Sequence, residues 1–311
     1  MGVERYLPLI GRSGPLVRND VEKGAIRTFA IATGENNPLY IDEEYAARTT
    51  YGGIIAPPTF CRTFDYGEIP GLNLPREGML HGEQEYEYYR FLRPGDVVYC
   101  QSRLENVYEK TGRSGRMVFV VMEHTGANEN GELYFKGRRV SIIREVLLKR
   151  TSLQEGYPTN KVQVGQVLQV DPSTVRPGNS IGPLVFPPMT RIQLVRYAGA
   201  SGDFNPIHTV EEAAIKLGLK GVIAHGMLIM AFAGQLLSRW AGEQGFLYRI
   251  SNRFTAMVYP GDIITVAGVV KETSMLNSGI RVECDFWADN QSQQRVLEGA
   301  ASVMLRVSDV I

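Results

Sequence analysis

The stretch Gly202-Asp203-Phe204-Asn205-Pro206-Ile207-His208 places a carboxylate, an amide and an imidazole close together in the chain. It cannot form a regular helix, because Pro206 has no backbone N–H and pushes Asn205 out of the α region. A bend of this kind can direct the side chains of Asp203 and His208 toward one small volume. The two groups would then hold a water molecule between them.

A second segment, Ala224-His225-Gly226-Met227, is predicted to begin the longest helix of the chain, over about 226–242. This helix is apolar nearly all round, so it should be buried. The free N–H groups at its start would face the same volume as the bend. Strand-like runs follow, separated by turn residues. They lie at 247–254, 263–272, 279–289 and 300–307. The pattern indicates an α+β fold in which an antiparallel sheet wraps around one long helix.

The same pattern occurs twice in the chain. Three pairs of segments match in the same order at nearly constant spacing: 32–40 with 200–208, 53–58 with 221–226, and 93–96 with 259–262. The chain is therefore predicted to be a tandem repeat of one fold. Because the period is far longer than that of a solenoid, each copy should be a complete domain. The predicted domains are 1–150 and 164–311, joined by a polar linker that contains Gly and Pro.

Composition excludes several classes of protein. The 311 residues contain 33 Lys+Arg and 33 Asp+Glu, and this balance argues against a nucleic-acid partner. No apolar stretch is long enough for a bilayer, and the start of the chain lacks a signal-peptide pattern. The three cysteines are far apart and suit no disulfide framework, and no spacing indicates a metal site. We expect a cytoplasmic enzyme with no membrane partner.

The motifs resemble those of the MaoC-like, or hydratase-2, family of (R)-specific enoyl-CoA hydratases and dehydratases. The family motif Tyr/Phe-x-x-x-Ser-Gly-Asp-x-Asn-Pro-hydrophobic-His is matched in full by residues 197–208. Residues 224–227 match the His-Gly-Met segment at the start of the family's central helix. The resemblance implies a hot-dog fold for the second copy and, through the repeat, a double hot dog for the chain.

By this resemblance, Asp203 and His208 act on the water, Asn205 helps to shape the site, and the Gly226 N–H binds the thioester oxygen. The chemistry fits, because hydration of an enoyl thioester needs a base for the water and a proton for C2. It also needs a donor for the charge on the thioester oxygen. A CoA thioester is then the substrate, and neither a metal nor a cofactor is required. Four further residues are predicted to bind the substrate: His225, Met227, Arg249 and Arg253. Arg90 and Arg93 are further candidates for the CoA phosphates.

The first copy lacks the reactive groups. Glu35 replaces Asp203 and Tyr40 replaces His208, and Pro58, which has no N–H, stands where the second copy has glycine. We expect a catalytically inactive structural twin. Its central helix should also be short, because prolines follow it closely. The space left beside the sheet would house the acyl part of the substrate.

Alternatives remain at this stage. The substrate could be a branched or dicarboxylic enoyl-CoA of the mesaconyl-CoA type. The protein could instead be an acyl-CoA thioesterase, since other hot-dog proteins hydrolyse thioesters. A third hypothesis is a non-catalytic acyl-CoA binding module. Two hot dogs in one chain already form a pseudo-dimer, so a homodimer of double hot dogs is optional.

Overall fold

The computed structural model describes residues 2–75, 79–112, 115–144, 170–243, 245–276 and 279–306. The first half contains helices α1 (Lys23–Thr33) and α2 (Glu43–Arg48) and strands β1 (Val17–Asp20), β2 (Met79–Tyr88), β3 (Val97–Gly112), β4 (Gly115–Ala127) and β5 (Leu133–Arg144). The second half contains strand β6 (Ser180–Val185), helices α3 (Arg191–Ser201), α4 (Glu211–Lys216) and α5 (Gly226–Ala241), and strands β7 (Gly245–Phe254), β8 (Thr265–Leu276), β9 (Gly279–Asp289) and β10 (Arg295–Leu305). The strands form one antiparallel sheet in the order β1-β3-β4-β5-β2-β7-β10-β9-β8-β6.

The two halves meet where β2 pairs with β7, and the register there shows how they are related. Glu83 lies opposite Arg253, and Glu87 lies opposite Arg249. Arg249 is 166 positions after Glu83, and Glu87 is 166 positions before Arg253, so one pair maps onto the other. This is a pseudo-twofold axis between the halves. The α+β double hot-dog fold predicted from the sequence is confirmed. The predicted linker, with domain ends at 150 and 164, lies outside the described residues.

Helix α5 is the core of the second half. Its apolar sequence buries nearly every side chain from Met227 to Ala241, and the helix ends at Gly242, whose φ of 67° favours glycine. It also joins the halves, because Gln235 Nε2 donates to the Thr33 carbonyl at 2.9 Å. One apolar core cluster includes residues of both halves.

The equivalent helix of the first half is short, as expected. Residues Pro58–Thr63 form a 3₁₀ helix, whereas α5 has 16 residues. The inward faces of β2 and β5 are therefore not fully covered by a helix. They form part of the wall of a cavity instead.

The sequence predicts a helix over Arg191–Gly199 that Thr190 caps and in which Ile192, Val195 and Ala198 form an apolar stripe. Its predicted cap is confirmed, because the Thr190 side chain accepts the Gln193 N–H. The predicted apolar stripe does not face the core as a whole, because Ile192 and Val195 are 61% and 55% exposed and Ala198 alone of the three is buried. The neighbouring row that contains Leu194 is buried instead, where α3 packs against α1.

Helix α4 begins differently from the prediction. The sequence predicts that Thr209 caps this short helix, but the residue before the helix is Val210, which makes no side-chain cap. Thr209 ends the preceding 3₁₀ turn, since its N–H donates to the Pro206 carbonyl. Strand β10 also starts five residues earlier than predicted. None of the described helices is long and apolar enough to cross a membrane.

Candidate active site

The motif of the second half is a bend between two helical segments. Helix α3 ends at Gly202, which takes a left-handed conformation with φ 71°. Asn205 Oδ1 then accepts the Ile207 N–H at 3.4 Å and caps the 3₁₀ turn Pro206–His208. The Asn205 N–H donates to Asp203 Oδ1 at 3.3 Å. The asparagine therefore shapes the bend and helps to orient the carboxylate.

Asp203 also has a partner in the other half of the chain. Arg62 Nη2 donates to Asp203 Oδ2 at 3.2 Å. Burial raises the pKa of Asp203, but Arg62 and the nearby rings of His225 and His208 outweigh this effect and hold the pKa at about 2. Asp203 is consequently a charged carboxylate at neutral pH.

The hydrogen bond of His208 assigns its tautomer. His208 Nδ1 lies 2.8 Å from the Ile223 carbonyl oxygen. A carbonyl only accepts, so Nδ1 carries the proton and Nε2 keeps a lone pair in the neutral ring. Burial lowers the pKa of His208 by more than the Asp203 charge raises it. The ring is thus a neutral base at physiological pH.

His225 stacks on His208 with 3.7 Å between ring centroids. Its Nε2 donates to the backbone carbonyl of Asp203 at 3.1 Å, which holds the bend against the start of α5. Burial and the His208 ring lower the pKa of His225 to about 3. His225 was predicted to bind substrate, but it is absent from the residues that line the cavity. His225 therefore positions Asp203 by a hydrogen bond and His208 by stacking.

The side chains around the bend lie close enough to share one water molecule. A carboxylate oxygen of Asp203 and ring nitrogens of His208 and His225 lie within 4.8 Å of one another. Two hydrogen bonds of about 2.8 Å to one water span such a gap. In the described part of the chain, these are also the side chains grouped closely enough to ligate a metal ion. Arg62 opposes that use, because its positive charge already lies on the Asp203 carboxylate.

Gly226 supplies a backbone donor at the edge of the same space. It is the first residue of α5 and lines the cavity. Its N–H has no hydrogen-bond partner among the described residues. A Cβ at this position would lie 3.1 Å from the Phe254 ring, so glycine keeps the approach open. A free helix N-terminal N–H suits a developing negative charge.

The cavity has a volume of about 710 Å³ and is bounded by both halves. The second half contributes the motif residues together with Met227 and Phe254, so the prediction that Met227 lies at the site fits the geometry. The first half contributes side chains of its short helix and of strands β2 and β5. These include Arg62, His81, Arg139 and Ser141.

The corresponding region of the first half holds a much smaller space. Tyr40 and Pro58 line a cavity of about 50 Å³. Glu35 is buried, and its Oε1 accepts from Arg239 Nη2 at 3.0 Å and from the Asn37 N–H at 2.9 Å. This carboxylate is fully engaged within the protein. The geometry therefore supports the interpretation of the first copy as an inactive twin.

The arginines predicted to bind CoA phosphates are not among the residues that line the cavity of about 710 Å³. Arg249 pairs with Glu85 at 2.7 Å, and Arg253 is exposed on the β2–β7 seam. Arg90 pairs with Glu132, and Arg93 donates to the Tyr51 carbonyl. A role in phosphate binding stays a prediction for all four.

Sequence reasoning missed the charged residues that the first half places at the site. Arg62 and Arg139 belong to the copy that lacks the motif, so no motif indicated them. The repeat did carry a signal for Arg62, because the residue 168 positions later is Met230, which is buried in α5. A charge where the twin has a buried apolar residue marks a surface that faces something polar.

Comparisons with known proteins agree with this geometry. The family model for the FAS1-like dehydratase domain region matches residues 9–136, and the model for the MaoC like domain matches residues 173–286. A UPF0336 protein of Streptomyces griseus is 36% identical over 110 residues, which are 33% of this chain and 73% of that protein. The protein named Enoyl-CoA hydratase 2, peroxisomal, of Arabidopsis thaliana is 26% identical over 238 residues, 72% of this chain and 70% of that protein. Among solved structures, a MaoC-like dehydratase has a TM-score of 0.79 at 21% identity and covers 98% of this chain and 100% of its own.

The fold and the motif site together define a double hot dog with one complete motif site, in the second half. The chain combines a FAS1-like dehydratase domain region with a MaoC like domain, and it belongs to the MaoC-like family.

Proposed function

We propose that this protein catalyses the reversible syn hydration of a trans-2-enoyl-CoA to an (R)-3-hydroxyacyl-CoA. One observation carries the proposal: Asp203, His208 and Gly226 all line one cavity. Asp203 is charged, the neutral His208 ring has its lone pair on Nε2, and the Gly226 N–H has no partner among the described residues. The family membership and the relative named enoyl-CoA hydratase 2 support the reaction class. The (R) configuration is what the family resemblance implies.

The site divides the reaction between its groups. Asp203 accepts one hydrogen bond from the water and holds it against His208. His208 Nε2 accepts a proton from the water as its oxygen bonds to C3 of the substrate. The same proton then passes from His208 to C2, so the hydroxyl and the hydrogen are delivered from one face. All atoms of the water end in the product.

The thioester oxygen gains negative charge while C3 is attacked. The Gly226 N–H and the N-terminal end of α5 stabilise this charge. Loss of one such donor typically raises the barrier by about 2.7–4 kcal/mol. From the thioester at Gly226, the acyl chain extends into the part of the cavity that the first half lines.

The test is a hydration screen on the full chain with enoyl-CoAs of varied length, branching and terminal charge. Loss of enoyl absorbance reports hydration, and chiral chromatography of the product reports its configuration. Parallel detection of free thiol reports thioester hydrolysis. We expect a 3-hydroxyacyl-CoA of (R) configuration without thiol release. Thiol release without hydration, or no reaction with any enoyl-CoA, would contradict the proposal.

A further inference from the structure

The charges that line the cavity do not balance. Its wall carries two guanidinium groups, Arg62 and Arg139, and one carboxylate, Asp203. The two histidines of the wall are neutral at physiological pH. Burial lowers the pKa of His208, and burial together with the Arg139 charge lowers the pKa of His81 to about 3. The described lining thus has a net charge of +1.

Arg62 is neutralised by Asp203, whereas Arg139 is not neutralised. Arg139 Nη2 lies 3.4 Å from the thioether sulfur of Met122, which is a weak acceptor. Its Nε is buried and has no hydrogen-bond partner. No carboxylate of the described residues pairs with it. Burial and the Arg62 charge lower the pKa of Arg139 to about 10, so the group is still charged at neutral pH.

The surroundings of Arg139 offer no substitute for a counter-ion. His124 Nδ1 and Ser102 Oγ share a hydrogen bond of 3.0 Å. Burial keeps the pKa of His124 well below its usual value, so this ring is neutral at physiological pH. His81 is neutral and bonds to Gln84 at 3.0 Å. A guanidinium whose Nε is buried without a hydrogen-bond partner lowers the stability of the fold. A resident cation at this position therefore points to an anion that arrives from outside the protein.

The internal twin shows that the fold itself does not need this charge. Arg139 lies opposite Gln84 in the β2–β5 pair. The residue 166 positions after Gln84 is Ile250, and it lies opposite Ala301 in the β7–β10 pair. Ala301 is buried in the apolar core of the second half. The same inward position is thus filled by alanine in one half and by an arginine facing the cavity in the other.

We propose that Arg139 binds a carboxylate on the acyl group of the substrate, so that the enzyme acts on an enoyl-CoA with a negatively charged tail. This inference rests on the proposed function, because the acyl group reaches Arg139 only if the enoyl thioester binds in this cavity. A guanidinium presents paired N–H donors that match both oxygens of a carboxylate. The added carboxylate would bring the net charge of the lining to zero.

The test compares two matched substrates. Glutaconyl-CoA is crotonyl-CoA with a carboxylate on its terminal carbon. Butyryl-CoA and glutaryl-CoA form the same pair without the reactive double bond, and their binding is measured by calorimetry. Both pairs are used with the full-length wild type, Arg139→Gln and Arg138→Gln. Arg138 is the matched control, since it is the next residue of β5 and pairs with Glu105 outside the cavity.

We expect the wild type to prefer glutaconyl-CoA over crotonyl-CoA by at least about tenfold in kcat/KM. Arg139→Gln should remove that preference, so that the two kcat/KM values agree within about threefold, while Arg138→Gln keeps the wild-type preference. A wild type that hydrates crotonyl-CoA as well as glutaconyl-CoA would overturn the inference and leave the proposed function intact. Equal loss on both substrates in Arg139→Gln would also overturn it.

The binding arm decides the inference independently of catalysis and of the variants. The wild type should bind glutaryl-CoA more tightly than butyryl-CoA by at least about tenfold. Equal affinity overturns the inference even if the variants do not fold. If the wild type hydrates neither enoyl-CoA, the proposed function fails, and tighter binding of glutaryl-CoA would still support the anion site.

Discussion

Arg62 of the first half and Asp203 of the second half form an ion pair, with 3.2 Å between Nη2 and Oδ2. The motif carboxylate of the second half therefore has its ion-pair partner in the half that lacks the complete motif. The pair is part of the cavity wall and is only partly exposed, so the solvent screens it less than a surface pair. The first half is thus a contributor to the electrostatics of the site as well as a structural twin.

Replacement of Arg62 by Gln should shift the pH dependence of catalysis. Arg62 lowers the pKa of Asp203 and also lowers that of His208. Activity needs the carboxylate charged and the imidazole neutral, and both conditions fail as the pH falls through these pKa values. Without Arg62 both pKa values rise, so the acid limb of kcat/KM against pH moves to higher pH.

The measurement is a pH profile of kcat/KM with crotonyl-CoA. We also expect kcat/KM at neutral pH to fall about tenfold, equivalent to about 1.4 kcal/mol. The control is Arg48→Gln, which breaks an exposed pair with Glu44 in the same half. An unchanged acid limb in Arg62→Gln would show that this guanidinium does not govern the site.

The pair between Glu35 and Arg239 should matter for stability rather than for catalysis. It joins the halves at 3.0 Å, and both side chains are nearly inaccessible. Removal of one partner leaves the other charge buried, which typically costs about 3–5 kcal/mol. Glu35→Gln should lower the free energy of unfolding by an amount of this order.

Denaturant unfolding of Glu35→Gln, Arg239→Met and the double variant tests this expectation. The double variant should recover much of the loss, because no unpaired charge remains. Strictly additive losses in the double variant would argue against a coupled pair.

Gly226→Ala and Gly234→Ala form a matched pair within helix α5. A methyl group at Gly226 would press on Phe254 at 3.1 Å and disturb the oxyanion donor, so kcat should fall by about a hundredfold. At Gly234 the nearest side-chain atom would be 3.9 Å away, which is ordinary contact. There alanine should raise stability by up to about 1 kcal/mol and leave kcat unchanged. Similar kcat values for both variants would show that the Gly226 N–H does not stabilise the thioester oxygen.

A larger side chain in the part of the cavity lined by the first half should discriminate between substrates. Ser141 is buried on β5 and lines the cavity. Ser141→Leu should lower kcat/KM for long or branched enoyl-CoAs more than for crotonyl-CoA, because the short chain does not reach that space. Steady-state kinetics with both classes measures the difference. Equal losses would show that the acyl group lies elsewhere.

The parts of the molecule that the sequence predicted are those governed by local backbone chemistry. Gly202 takes a left-handed conformation and the Asn-Pro bend forms a capped turn, and both follow from the residues themselves. The long apolar helix was predictable for the same reason. Its repeat partner was recognisably shortened by prolines.

The parts that the sequence did not predict depend on tertiary contacts. Arg62 and Arg139 reach the site only because the pseudo-twofold axis brings the first half against it. Ile192 was predicted to belong to an apolar stripe of α3 but is exposed, because helical spacing alone does not say which row of side chains faces the neighbouring helix. His225 matched a family position but lies behind the reactive groups, which only the stacked geometry shows.

In the proposed mechanism, Asp203 of the second half is the catalytic carboxylate, whereas Glu35 of the first half is a structural one. This division of roles is tested most directly by the hydration rate of crotonyl-CoA in Asp203→Asn and Glu35→Gln, measured per folded protein under the same conditions. We expect kcat to fall by at least about a hundredfold in Asp203→Asn and to stay within about threefold of the wild type in Glu35→Gln. A large loss of kcat in Glu35→Gln, or little loss in Asp203→Asn, would contradict the claim.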